Sequence, residues 1–185
     1  MRFIRHKWWG LCARLRTSYY GIRYRQVTFA SRARCNGQLT IRGKGRVIVG
    51  PGSTLSGENE LRGNVFDLSN GATVRIGADC YVNGVRVSAD NEVTIGDRCI
   101  VGAARILTTD YHAVDPSFRF DQHAPVRSEP VIVEDEVWLA NQTALLPGVT
   151  IGSGSVVAFG SVISRSVPPG CVIGSHQQRT LTKLA

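Results

Sequence analysis

Between Val131 and Pro169 the chain counts in sixes. Val133, Leu139, Leu145, Ile151, Val157 and Ile163 put an aliphatic side chain at every sixth position. Two places before each stands a small or β-branched residue: Val131, Val137, Thr143, Val149, Ser155 and Ser161. Gly, Ala, Ser, Pro or an acid fills the intervals, as in Pro147-Gly148 and Gly152-Ser153-Gly154. Neither a lone helix, with its period near 3.6, nor a lone hairpin repeats on six. The pattern predicts a solenoid, in which each short unit buries its apolar side only against the next coil.

Three steps of six close one triangular coil, so residue i stacks on residue i+18. That places Val133 on Ile151, Leu139 on Val157 and Leu145 on Ile163, with Ile95, Val101 and Leu107 of the preceding coil in the same three columns. Earlier in the chain Leu39–Ile41 and Val47–Val49 read as strands, and Val49, Leu55 and Leu61 keep the step. The beat blurs over 62–73, returns at Ile76 and Val82, and gains one residue near Ser88–Asn91. Twenty glycines against one Met agree with short strands and tight corners. Coils stacked at about 4.8 Å make six or seven layers roughly 30 Å tall, with exposed strand edges at both ends.

The net charge of +8 is concentrated at the N-terminus, where Met1–Cys35 carries nine Arg or Lys and no acid. Helix-like three- and four-residue steps (Trp8, Leu11, Leu15) are broken there at Gly10 and Gly21. The domain reading is therefore a basic, partly helical arm over 1–37, a repeat domain over 38–174 and a tail over 175–185. Such an arm either packs on the first coil or offers a cationic surface to an anionic membrane or an acidic glycan. Nucleic acid is not expected, because no recognition motif accompanies the charge. No apolar run reaches the roughly 20 residues of a membrane span, and no secretion signal is evident. Five scattered cysteines without a C-x-x-C read as free thiols in a reducing compartment. The expected location is the cytoplasm, with the arm as a candidate for peripheral contact at the inner membrane face.

From Thr108 to Pro130 the count lapses, and the interval contains two of the four histidines, His112 and His123. A long interruption inside a compact repeat is more often functional than idle. It reads as a loop over 108–130, thrown out from one corner.

Val137-Trp138-Leu139-Ala140-Asn141, Leu146-Pro147-Gly148-Val149-Thr150-Ile151-Gly152, Gly160–Arg165 and Val167-Pro168-Pro169-Gly170 together resemble the hexapeptide-repeat acyltransferases. The nearest branch is that of the galactoside and maltose O-acetyltransferases and their polysaccharide relatives. The likeness is continuous from Asn91 to Gly174, extends more loosely back to Leu39 and leaves out the arm. It implies an all-β, left-handed parallel β-helix, an exception to the right-handed crossover rule. It also implies a homotrimer with active sites between prisms, acetyl-CoA as donor substrate, no metal, and a sugar or polysaccharide hydroxyl as acceptor.

Residue by residue, the resemblance puts His112 at the position of the catalytic base. The chemistry suits it, since hydroxyl attack on a thioester needs a base and an imidazole titrates near neutrality. Asp110 and Asp115 are both candidates to orient the imidazole, and His123 is the second choice of base. No Ser or Cys matches a nucleophile, which implies direct transfer. Trp138, Asn83 and Asp110 fall at acceptor-side positions; alternation alone turns Trp138 outward. Asn141, Phe159, Ser164, Arg165, Arg179 and Lys183 fall along the CoA groove, the last four answering the need for polar and cationic groups near its phosphates. Gly174-Ser-His-Gln-Gln-Arg179 departs from the family's usual ending, at the adenine end of that groove. Two other outcomes belong with this reading. One is N-acetylation of an amino sugar or sugar nucleotide. The other is a metal-dependent enzyme on the same prism, for which the eleven-residue spacing of His112 and His123 is unsuited.

Overall fold

A computed structural model describes residues 2–57, 63–121, 123–174 and 179–183; the side chains of 2–11 and 179–183 lie outside that description. A helix, Arg2–Arg23, leads into three sheets of short strands. In chain order the strands visit the sheets in rotation, so that every pair of hydrogen-bonded neighbours except the last is parallel and one coil apart. The result is a left-handed parallel β-helix of triangular section.

The first sheet stacks Val27–Phe29, Arg46–Val49, Thr73–Ile76, Glu92–Ile95, Val131–Val133 and Thr150–Ile151. The second runs from Arg34–Cys35 through Thr54–Ser56, Tyr81–Asn83, Ile100–Val101, Trp138–Leu139 and Val156–Val157 to Cys171–Gly174. Arg179–Lys183 then turns back antiparallel on that last strand. The third stacks Leu39–Gly43, Asn64–Leu68, Arg86–Ala89, Arg105–Leu107, Ala144–Leu145 and Val162–Ile163. Parallel pairing thus begins at Val27, inside the basic segment and ahead of the expected boundary at Gln38.

Five of the six expected stacking partnerships hold: Ile95–Val133–Ile151, Val101–Leu139–Val157 and Leu145–Ile163 are paired coil to coil, and all eight side chains named are essentially buried. The exception is Leu107. Ile106 takes its place over Leu145 and is fully buried, while Leu107 pairs with Ser88. The cause is a shortened corner. Ala103 N–H is held by Asn141 Oδ1 at 3.0 Å and Ala104 N–H returns to Gly102 O at 2.7 Å, so the step from Val101 to the next inward residue is five. Leu61 lies outside the described residues.

The corners explain the small residues. Between the first and second sheets Ser53, Cys80, Cys99, Ser155 and Cys171 occupy a buried slot. Ser53 Oγ donates to Gly77 O at 2.7 Å, Cys80 Sγ to Gly96 O at 3.0 Å and Cys99 Sγ to Glu134 O at 3.0 Å. Each satisfies a carbonyl of the next coil, which is why a small donor is needed there. Acids do the converse across the same corners: Asp97, two places before Cys99, accepts Ala78 N–H on its Oδ1, and Asp135, two places before Val137, accepts Asp97 N–H on its Oδ1. A left-handed residue completes this corner, and it is Asp79, Arg98 and Glu136 in the middle coils rather than glycine. Gly152 is required for a different reason: a Cβ there would lie 2.3 Å from Pro169 N as the chain crosses above it.

Candidate functional site

The interruption between Thr108 and Pro130 leaves the corner joining the third sheet to the first, and Val131 resumes in register beside Val93. Its stem is zipped. Thr109 and Ser128 form an antiparallel bridge, Glu129 N–H donates to Thr108 O at 2.9 Å, and Asp110 N–H donates to Arg127 O at 3.2 Å. Asp90 ties this stem to the coil before it, its Oδ1 accepting from Thr108 Oγ1 at 3.0 Å and Ser128 Oγ at 2.8 Å. Arg127 ties it to the coil after, donating to Pro147 O at 2.7 Å while pairing with Glu129 at 2.9 Å. That guanidinium holds the Glu129 carboxyl below its usual range. A loop tied at both sides presents its tip in a fixed place.

Immediately beyond the stem, Tyr111 adopts φ +64, uncommon for a bulky residue, with its N–H on Thr109 Oγ1 at 3.2 Å. Burial of the Tyr111 hydroxyl raises its pKa, against the opposing hydrogen bond with Ser88. This left-handed step turns the chain so that the exposed His112 lines an open cleft of about 400 Å³. Tyr111, Arg119, Phe120, Asp121, Ala124 and Val126 form the rest of its wall. Arg119 is braced by a 2.9 Å hydrogen bond to Val114 O, and Phe120 is 96% exposed.

The two orienting candidates separate here. Asp115 caps the short 3₁₀ turn Pro116–Phe118, its Oδ1 accepting Ser117 N–H at 2.8 Å. Asp110 is exposed at the root of the loop, two residues from His112. His123 is exposed on the far limb, its N–H held by Asp121. Ser164 and Arg165 follow Val162–Ile163 at the same corner of the prism as the loop, two coils further on, and both are exposed.

The remaining positions gather elsewhere. Trp138 stands outward on the second sheet at 50% exposure, as alternation requires, paired with Ile100 on one side and Val156 on the other. Asn141 and Phe159 occupy the corner between the second and third sheets in successive coils, with Gly160 N–H donating to Asn141 O at 3.1 Å. The Asn141 side chain serves that corner through Ala103, and Phe159 is 64% exposed. Asn83 ends its strand toward the same corner, half-buried. Within one chain, then, His112, Asp110, Ser164 and Arg165 sit along one edge of the prism. Asn83, Asn141 and Phe159 sit along the next edge, with the third sheet between. Arg179 and Lys183 lie on the antiparallel return strand, and their side chains are outside the described residues.

The loop sequence alone did not announce Tyr111, Arg119 or Phe120 as cleft residues; only its density of aromatics hinted at them. Among the described residues no cluster of three or more His, Cys, Asp or Glu is arranged to hold a metal ion.

No protein-family model matches the chain. It is 29% identical over 129 residues to galactoside O-acetyltransferase of Escherichia coli, covering 69% of this chain and 63% of that protein, so the chain spans under two thirds of that relative's length. It is 39% identical over 129 residues to nodulation protein L of Rhizobium meliloti, covering 69% and 66%. A hexapeptide-repeat acetyltransferase of Vibrio cholerae, solved with acetyl-CoA, superposes with TM-score 0.58 at 28% identity over 78% of this chain and 71% of that one. The repeat, the looped-out corner after Leu107 and these likenesses agree: the chain belongs to the hexapeptide-repeat acyltransferase family.

Proposed function

We propose that the protein transfers acetyl from acetyl-CoA to a hydroxyl of a sugar or surface polysaccharide, with His112 as general base. The observation that carries this reading is the setting of His112, exposed on the wall of the cleft at the tip of a stem tied to both neighbouring coils. The donor is supported by the relative solved with acetyl-CoA, and the acceptor class by the relative named for galactosides.

In this mechanism the acceptor oxygen attacks the thioester carbonyl carbon while the imidazole takes its proton. The tetrahedral adduct collapses, the carbon–sulfur bond breaks, and the departing sulfur of CoA receives the proton back from the imidazolium. No acyl-enzyme forms. Asp110 is the better placed orienting carboxylate, because Asp115 is engaged as a cap. Ser164 and Arg165 meet the CoA phosphates from the same corner, with Arg179 and Lys183 as further cations.

Trp138, Asn141 and Phe159 belong to a different part of the same prism from His112, so we assign them to the neighbouring site of a homotrimer. The outward stripe Tyr81, Ile100 and Trp138, 44–50% exposed and stacked in register, supports such packing. The test is acetyl transfer from labelled acetyl-CoA to a panel of galactosides, maltose and acidic polysaccharides. Alkali-labile ester on a sugar supports the proposal. Label found only as alkali-stable amide on amino sugars, or on no sugar at all, overturns it.

A further inference from the structure

Over its described side chains, from Cys12 onward, the N-terminal helix packs one face on the solenoid. Ala13, Thr17, Tyr20 and Tyr24, spaced by four, three and four, turn inward. Thr17 Oγ1 accepts Cys35 N–H at 2.8 Å, the Tyr20 hydroxyl accepts Leu39 N–H at 3.2 Å, and Tyr20 and Tyr24 pack on the core. On the opposite side Leu15, Tyr19 and Ile22 are 63%, 53% and 82% exposed. At about 100° per residue the two sets face roughly opposite directions. Arg14 and Arg23, both exposed, stand between them on either flank. The same three- and four-residue spacing continues in the sequence through Leu11, Trp8 and Ile4.

The surrounding charge is lopsided. Residues 1–57 hold twelve of the 22 Lys and Arg and none of the 14 Asp and Glu, leaving ten cations against fourteen acids in the rest of the chain. An outward apolar stripe flanked by arginines, at a wholly cationic end of the molecule, suits one kind of surface. An acidic glycan would satisfy the arginines but give Ile22 nothing apolar to meet. A second copy would cover the stripe but bring two cationic ends together.

We propose that this helix lies flat on an anionic lipid bilayer. Leu15, Tyr19 and Ile22 enter the boundary between headgroups and acyl chains, and the flanking arginines meet lipid phosphates. Contact is peripheral, since no described helix is long and apolar enough to cross a membrane. The experiment is sedimentation of the full chain with vesicles of phosphatidylcholine alone and of phosphatidylcholine mixed with phosphatidylglycerol. The expected result is binding to the mixed vesicles at least about tenfold tighter than to phosphatidylcholine. Binding should weaken by a similar factor in the Leu15→Ser/Tyr19→Ser/Ile22→Ser variant and in Arg14→Gln/Arg23→Gln. Circular dichroism checks the fold, and Ile22→Ser alone serves if the triple variant misfolds. No binding to mixed vesicles overturns the proposal. Undiminished binding by the serine variants does so too, as would be seen if charge alone adsorbed the protein to any polyanion. A smaller assembly for the triple variant, with no vesicle binding by the parent, would assign the stripe to a second copy instead.

Discussion

Ile106 stands over Leu145 in the third sheet, and Leu107 beside it does not. The inward column there runs Phe66, Val87, Ile106, Leu145 and Ile163, all fully buried. Replacing Ile106 by Ala removes methyls from a packed interior and should cost about 2–5 kcal/mol. Leu107→Ala, at a half-exposed site, should cost under about 1 kcal/mol. Denaturant melts of the two variants check the register directly.

That pair also shows how far the sequence could be read. From Val131 to Ile163 each corner has the same length, so counting in sixes places every inward residue of that stretch correctly. The count fails at Val101 because two hydrogen bonds tighten the Gly102–Ala104 corner, and nothing in Gly-Ala-Ala marks a step of five. The left-handed corner residues Asp79, Arg98 and Glu136 were equally unreadable, since glycine is the expected sign and the stacked carbonyls impose the turn without it. The pairing of Val27–Phe29 with Arg46–Val49 was hidden by the surrounding charge, because only Val27 among these three is buried. For the candidate site, the loop and His112 were legible as an interruption with an imidazole. Its other wall was not, because the cleft is closed by residues that follow no repeat.

The loop stem makes Asp90 a positioning residue. Its carboxylate gathers Thr108 and Ser128, one from each limb. Asp90→Ala should lower turnover roughly tenfold with a smaller effect on CoA affinity, at a stability cost of about 1–3 kcal/mol. Steady-state kinetics, with limited proteolysis across 110–127 as the structural readout, separate a loosened loop from a lost contact. Asp90→Asn, which keeps one acceptor oxygen, should recover part of the activity.

Burial pushes the Cys35 thiol from its ordinary 9.0 up to about 12. The folded chain therefore keeps a proton that the unfolded chain gives up in that interval. This contribution is complete below pH 9 and is lost as pH rises toward 12, with a slope of up to about 1.4 kcal/mol per pH unit. Urea melts across that range should show falling stability. Cys35→Ala, though less stable at pH 7, should show a shallower decline.

If neighbouring chains complete each site, defects on opposite walls should complement. A His112→Ala chain and a Trp138→Ala chain, each nearly inactive alone, should regain a fraction of wild-type acetyl transfer when co-refolded. The rate of the mixture against mixing ratio measures it. Additive, unrescued activity would confine the site to one chain.

The most direct measurement concerns the imidazole itself: acetyl transfer and CoA binding by His112→Ala, compared with the parent chain. With the base gone but the groove intact, CoA affinity should change less than about threefold while turnover falls by about 10²–10⁴. Turnover equal to the parent's would contradict the account.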